Sequence, residues 1–134
     1  MRLRFLGRFR EEGLLLLRLG LGVMFLFHGW PKLVGGPDKW ASVGRALGAL
    51  GIAVLPTLWG LLAALSEFGG GICLLLGLFF RPASLTMAVT MAVAANWHFA
   101  RGDGLAGASH ALELGIVFFA LALIGPGRYS LDRS

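Results

Sequence analysis

Four long apolar stretches, separated by short polar or turn-forming segments, dominate this chain of 134 residues. They predict helices over residues 13–33, 56–80, 83–100 and 105–124, each at or near the length of about 20 residues that crosses a bilayer core. Pro56 is typical of a helix start, and the Arg81-Pro82 turn separates the second and third stretches. The sequence GPG at 125–127 ends the fourth stretch.

The segment between the first two stretches has a different pattern. It opens with the turn signal GGPD and continues as a weakly charged, amphipathic sequence, which predicts a short helix lying at the membrane interface. We therefore predict an all-α integral membrane protein, an antiparallel four-helix bundle with a short interfacial helix between spans 1 and 2. In this reading, residues 13–125 form the transmembrane domain, between a basic segment at 1–12 and a tail at 126–134.

Composition favours the same class of protein. The chain is 57% hydrophobic and 14% charged, with a mean hydropathy of +0.78, whereas soluble domains carry about 25% charged residues. The net charge of +5 does not point to nucleic acid, because no basic stripe runs along a predicted helix. The expected partner is the lipid bilayer. The single cysteine, Cys73, has no partner for an internal disulfide and is expected to be a small core residue.

Basic residues divide unequally between the two sides of the predicted bundle. The opposite side carries Lys32, Lys39, Arg45 and Arg101. The side with both termini carries Arg2, Arg4, Arg8, Arg10, Arg81, Arg128 and Arg133. The positive-inside rule then predicts a multi-pass protein of the cytoplasmic (inner) membrane with both termini in the cytoplasm.

Three charged residues fall at membrane depth. Counted from the cytoplasmic helix ends, Glu67 and Glu113 each lie about 18 Å in, and Arg18 about 8 Å in. A charge at the bilayer centre costs about 2.5–3.5 kcal/mol on insertion scales, so these side chains are predicted to meet inside the bundle. One guanidinium cannot neutralise two buried carboxylates, which predicts that one carboxyl is protonated or that the two share a proton.

Helical spacing supports an interior face on the first span. Steps of four, three, four and three residues place on one face Arg18, Gly22, Phe25, Gly29 and Lys32. On the fourth span, His110 and Glu113 are three residues apart and share a face.

A second polar tier lies about 22–24 Å from the cytoplasmic boundary. It contains His28, His98 and His110, with Asn96 nearby. Three histidines at one level suit a metal or a proton relay, but Asn96 and His98 point to opposite faces of their helix, and interfacial histidines also bond to headgroups or backbone. We therefore expect no metal site and instead a quinone or substrate pocket formed by His28, Lys32, Asn96 and His98.

The ordered segments LRLGLGVMFLFHGWPKL, EFGGGICLLLGLFFRPAS and ELGIVFFALALIGPGRYSLD, over about residues 14–132, resemble the DoxX family of small four-helix bacterial membrane proteins. The family is named for association with an archaeal terminal quinol oxidase, and related chains are similar to membrane subunits of a thiosulfate:quinone oxidoreductase. Some members are linked to complexes that handle oxidative or thiol stress. The chain lacks the cysteine pair that thiol redox chemistry of its own would need.

The resemblance implies a small subunit or accessory of a quinone-linked membrane oxidoreductase, with a quinone bound noncovalently and a redox partner subunit. In this hypothesis Glu67 and Glu113 accept protons, Arg18 is their charge partner and His110 relays protons. A homo-oligomer is a further expected assembly, and whether the chain is itself an enzyme stays open. The alternative is a non-catalytic scaffold or a small-lipophile or lipid-binding protein, in which the charges are structural. A transporter is disfavoured, because the chain is short and shows no inverted repeat.

Overall fold

A computed structural model describes residues 2–132, and this part of the chain contains helices and no strand. The α-helices are α1 (Arg10–Val34), α2 (Gly36–Gly44), α3 (Pro56–Leu76), α4 (Phe80–Ala100) and α5 (Gly104–Ile124). Two 3-10 helices, Arg4–Phe9 and Arg45–Leu50, precede α1 and follow α2. The prediction of an all-α bundle is confirmed. Arg133, one of the arginines behind the orientation prediction, lies outside the described residues, as do Met1 and Ser134, the ends of the predicted terminal segments.

Local chemistry explains where the helices begin and end. α3 begins at Pro56 as predicted but ends four residues early, because Gly77 turns the chain with a left-handed φ of 64°. α4 begins at Phe80, so Pro82 occupies its first turn, where a missing N–H breaks no helical hydrogen bond. α1 continues through Pro31 for three further residues.

Glycines determine how closely α1 and α3 approach. The two helices run antiparallel, with Gly22 of α1 against the backbone of Gly71, while a Cβ on Gly29 would lie only 2.6 Å from the nitrogen of Phe68. Small residues of this kind bring helix backbones together in lipid, where packing replaces the expulsion of water. α4 packs on another face of α3, where Gly70 meets the side chain of Met87.

α5 packs along α4 and has no close backbone approach to α1 within residues 2–132. The helices pack in the order α1, α3, α4, α5. The first and last of them meet through side chains, since the rings of Phe25 and Phe118 pack edge to face with centroids 5.0 Å apart. That geometry is the favourable one for an aromatic pair. The core continues through Phe80, Met87 and Leu121.

The predicted short helix between the first two spans is present as α2, which packs on α3. Gly60 of α3 lies directly against the carbonyl oxygen of Trp40, leaving no room for a Cβ. The indole Nε1 of Trp40 donates to the carbonyls of Lys32 (3.0 Å) and Leu33 (3.2 Å). These carbonyls belong to the last turn of α1 and have no partner within the helix, so α2 both covers α3 and caps α1.

The outer surface of the bundle is apolar. Leu16, Phe27 and Ile116 are 73%, 71% and 69% exposed, as suits side chains that face lipid rather than water. Within residues 2–132, three helical stretches are long and apolar enough to cross a membrane: Arg4–Val34, Pro56–Leu76 and Gly104–Ile124. α4 is as long as α3, but its most apolar 18 residues are less apolar than those of the three stretches.

Candidate functional site

A buried ion pair joins α1 to α3. The ammonium of Lys32 donates to both carboxylate oxygens of Glu67, each at 2.9 Å. The Glu67 side chain is 5% exposed and that of Lys32 is 31% exposed, so the lysine forms the accessible side of the pair. Glu67 lies about 16 Å along α3 from Pro56, which is near the middle of a hydrocarbon core about 30 Å thick.

The helix geometry explains why Lys32 reaches so deep a carboxylate. Helical side chains lean toward the N-terminus of their own helix. In α1 this direction runs away from the Lys32 end and toward the body of the bundle, so the long lysine side chain extends along α3 to Glu67. Lys32 belongs to the face predicted from spacing, whose other members, Arg18, Gly22, Phe25 and Gly29, are all buried.

Arg18 is also buried, but its partners are backbone carbonyls. Its Nε donates to Leu74 O (3.0 Å) and Nη2 to Leu75 O (3.2 Å), at the end of α3. Nη1 donates to Pro126 O (3.1 Å) and Tyr129 O (2.7 Å), in the tail. The predicted contact of Arg18 with Glu67 and Glu113 is therefore wrong. The last carbonyls of a helix lack partners within it, and a guanidinium satisfies several at once.

The tail closes the same end of the bundle. The carboxylate of Asp132 accepts hydrogen bonds from the backbone N–H groups of Phe79 (3.0 Å) and Phe80 (2.8 Å), where α4 begins. It thereby supplies the cap that no neighbouring side chain provides. Arg128 N donates to Glu11 Oε2 (2.8 Å), which ties the tail to the first turn of α1. The sequence predicted no contact of these tail residues with the bundle, since Arg128 was used only for the orientation and GPG only as the end of the fourth stretch.

Glu113 does not join the ion pair. It is exposed on α5, and neither it nor His110, also exposed, forms a hydrogen bond or ion pair with any residue in 2–132. The prediction of a proton shared between Glu67 and Glu113 required the two carboxyls to meet, so it loses its basis. The depth of Glu113 in the membrane stays a prediction, and the direction in which its side chain faces differs from the predicted one. The proton-transfer roles of His110 and Glu113 stay predictions.

The histidines of the second tier are also separated. His28 lies one turn before Lys32 on α1 and is exposed, with its ring 5.5 Å from that of Phe25. His98 pairs through Nδ1 with Asp103 Oδ2 at 2.8 Å, in the turn between α4 and α5. The Nδ2 of Asn96 is buried and has no hydrogen-bond partner among the described residues.

No three His, Cys, Asp or Glu side chains within residues 2–132 come together as ligands for a metal ion. Of the predicted pocket residues, Lys32 contacts Glu67, and His28 lies one turn before Lys32 on α1. His98 contacts Asp103 instead. The predicted single pocket containing all four is not formed by these contacts.

A cavity of about 290 Å³ lies on the α4 side of α3, partly covered by the 3-10 helix Arg45–Leu50. Its walls are mostly apolar and include Leu47 and Trp59. Its three hydroxyl-bearing residues are Ser66, Thr86 and Thr90, and the Thr90 hydroxyl donates to Ser66 Oγ at 3.0 Å. An apolar cavity with a few polar groups is the usual form of a site for a small lipophile.

The model of the DoxX family matches residues 13–100, from the start of the apolar part of α1 to the end of α4. The chain belongs to the DoxX family. The resemblance predicted from the ordered segments is confirmed. The matched region of this DoxX protein contains Arg18, Lys32 and Glu67, whereas His110 and Glu113 lie beyond it.

Curated relatives extend the similarity over nearly the whole chain. Inner membrane protein YqjF of Escherichia coli is 32% identical over 94% of both chains. Inner membrane protein YphA of the same organism is 30% identical over 95% of this chain and 93% of its own. An uncharacterized protein of Haemophilus influenzae is 32% identical over 96% of this chain and 94% of its own. No solved structure matches the chain. The DoxX protein thus has inner-membrane relatives and the apolar helices of a membrane protein.

Proposed function

We propose that this DoxX protein is a small subunit or accessory of a quinone-linked oxidoreductase in the inner membrane. The observation that carries the proposal is the Lys32–Glu67 ion pair, which lies at membrane depth and is accessible from its lysine side. Ionisable groups inside a membrane are costly and are by default functional candidates. The pair also provides a polar group next to apolar surface, which is what a quinone head requires.

Hydrogen-bond capacity supports this assignment. A lysine ammonium has three donors, and Lys32 uses two of them for the oxygens of Glu67. The third N–H is directed to no acceptor among residues 2–132, and the side chain is partly accessible. A quinone carbonyl oxygen is a suitable acceptor for it, and the exposed ring of His28 lies one turn away on the same helix.

The same pair suits proton delivery. Reduction of a quinone to a quinol takes two electrons and two protons, and a redox partner subunit would supply the electrons. Lys32 would give one proton to the reduced carbonyl oxygen, and Glu67 would carry a replacement proton to the amine. The second proton would come from water. The chain then positions and protonates the quinone, while electron transfer belongs to the partner.

We further propose four membrane crossings with both termini in the cytoplasm. The bond between Arg128 N and Glu11 Oε2 joins the tail to the start of α1. This contact supports an arrangement with both ends on one side of the membrane, as an even number of crossings requires. α4 is then the fourth crossing, and its packing against α3 and α5 makes a lower hydropathy tolerable. The greater number of arginines near the two ends favours the cytoplasmic side.

The test is quinone retention by the native chain. Purify the protein in mild detergent, extract its bound lipids and quantify quinone per protein by mass spectrometry, for wild type and for Lys32→Gln. Lys39, the only other lysine in the sequence, is exposed on α2, and its side chain forms no hydrogen bond with residues 2–132, so Lys39→Gln is the matched control. We expect Lys32→Gln to lose most of the quinone and Lys39→Gln to keep it. Equal retention by both variants, or no quinone in the wild type, contradicts the assignment.

A second candidate is a non-catalytic scaffold or small-lipophile-binding protein. It is favoured by Arg18, whose buried side chain donates only to backbone carbonyls within residues 2–132, and by the cavity beside Ser66 and Thr90. A redox subunit that co-purifies with the wild-type chain supports the first candidate. A lipid or quinone that is retained equally by Lys32→Gln, without any partner protein, supports the second.

A further inference from the structure

The α5 surface contains two ionisable groups that the proposed function does not use. Glu113 and His110 are exposed and form no hydrogen bond or ion pair within residues 2–132. Glu113 lies about 14 Å from the start of α5 and about 16 Å from its end, so its exposed carboxyl is near the middle of the bilayer. Such groups in membrane helices almost always face protein or a water-filled cavity rather than lipid.

The residues around them form a regular seam. Steps of four, three, four, three and four residues connect Ala106, His110, Glu113, Val117, Ala120 and Ile124. This alternation is the heptad spacing by which one helix packs along another. Ala106, His110, Glu113 and Ile124 are exposed, and Val117 and Ala120 are half-buried, so most of the seam is uncovered by its own bundle.

We infer that this seam of α5 is the interface of a homodimer, in which His110 of each copy pairs with Glu113 of the other. All copies of a membrane protein insert in the same orientation, so the two-fold axis stands normal to the membrane and the two α5 helices run parallel. In a two-fold interface, the contact of one residue with another is repeated in reverse. Each residue is level with its own copy, and His110 is about 4.5 Å along the axis from Glu113, so the pairing consists of two diagonal contacts that these side chains are long enough to span.

The small residues make this contact sterically reasonable. Ala106 and Ala120 lie seven residues before and after Glu113 on the same line of the helix, where small side chains permit close approach of two backbones. A second copy is favoured over an unrelated partner because the seam contains both members of the ion pair. This inference does not depend on quinone binding.

The experiment combines cross-linking with a charge swap. In native membranes and a Cys73→Ala background, single cysteines at Ala106 and Ala120 are oxidised and the dimer fraction is measured on gels. Phe119→Cys is the control, because Phe119 is exposed on α5 but lies about 120° around the helix from Glu113. We expect dimers from Ala106→Cys and Ala120→Cys and little dimer from Phe119→Cys.

Dimer affinity in liposomes is measured by energy transfer between labelled copies. Glu113→Leu, which is more apolar than wild type, is expected to weaken association about tenfold, as loss of interhelical polar contacts does in lipid. The double swap H110E/E113H should recover affinity, since it exchanges acid and base within the seam. Circular dichroism checks that each variant keeps its helix content.

Equal cross-linking at Ala106 and Phe119 would overturn the inference, as would association unchanged by Glu113→Leu. Cross-linking of Ala106→Cys to a different protein, with no self-dimer, would equally contradict it and assign the seam to a hetero-partner. A wild-type chain that dimerises but retains no quinone contradicts only the proposed function.

Discussion

Replacing Arg18 by methionine is the most informative test of what holds this bundle together. The side chain is 1% exposed and donates four hydrogen bonds, to Leu74, Leu75, Pro126 and Tyr129. Methionine fills much of the same volume, but it donates nothing. Arg18→Met therefore removes the donors while keeping apolar contacts, and it separates the hydrogen-bonding role of Arg18 from simple space filling.

The expected loss follows from two opposing terms. A hydrogen bond to a charged group contributes about 1.5–3 kcal/mol, so four independent bonds would total about as much as a whole domain's stability of about 5–15 kcal/mol. Methionine also removes the cost of burying a charge, which offsets part of that sum. We expect a net loss of about 3–5 kcal/mol in the free energy of unfolding, about half of that sum, because four carbonyls lose their donor.

The assay is unfolding of the purified protein in mixed micelles, followed by circular dichroism as the denaturing detergent is increased. Arg45→Met is the control, because Arg45 is exposed and its side chain has no hydrogen bond within residues 2–132. Arg18→Lys should fall between methionine and wild type, since its three donors sit on one atom and cannot reach four separated carbonyls. The reasoning is refuted if Arg18→Met is as stable as Arg45→Met, or if lysine restores full stability.

Three further predictions concern single contacts and use the same unfolding assay. Asp132→Ala should lower stability by about 1–2 kcal/mol, because it removes the cap of α4; an unchanged unfolding curve would contradict this. Gly60→Ala should prevent α2 from packing against α3 at Trp40, whereas Gly69→Ala, at a site open to solvent or lipid, should be neutral or slightly stabilising. Equal effects of the two alanines would exclude the packing argument. Trp40→Phe should cost about 1 kcal/mol, the value of a typical hydrogen bond, and no loss would mean that solvent caps α1 equally well.

The parts of the fold that depend on local sequence were predictable. Pro56 at a helix start and the GPG turn set boundaries that agree with α3 and α5. The four–three spacing on the first span predicted a buried face, and Arg18, Gly22, Phe25 and Gly29 are all buried. Each of these signals acts within a few residues, so no knowledge of the neighbouring helices is needed.

Partner assignments were less predictable, because they depend on helix rotation and on groups without a sequence signature. Matched depth suggested that Glu67 meets Glu113, but depth says nothing about rotation, and α5 turns Glu113 outward. Arg18 binds backbone carbonyls, which every residue possesses and no composition reveals. Lys32 was placed in a separate pocket because its own position is near the membrane surface, whereas the length and lean of its side chain bring its ammonium to Glu67.

The return of residues 126–132 to the bundle has a consequence for biogenesis. These residues are translated after all four long helices, yet they supply two acceptors for Arg18 and the cap of α4. During insertion the translocon must therefore release or hold these helices before the tail residues that stabilise their packing have been synthesised. In a chain truncated before Pro126, the Arg18 guanidinium keeps its two acceptors in α3 but lacks its two acceptors in the tail. Such a chain should be an early substrate for membrane quality-control proteases.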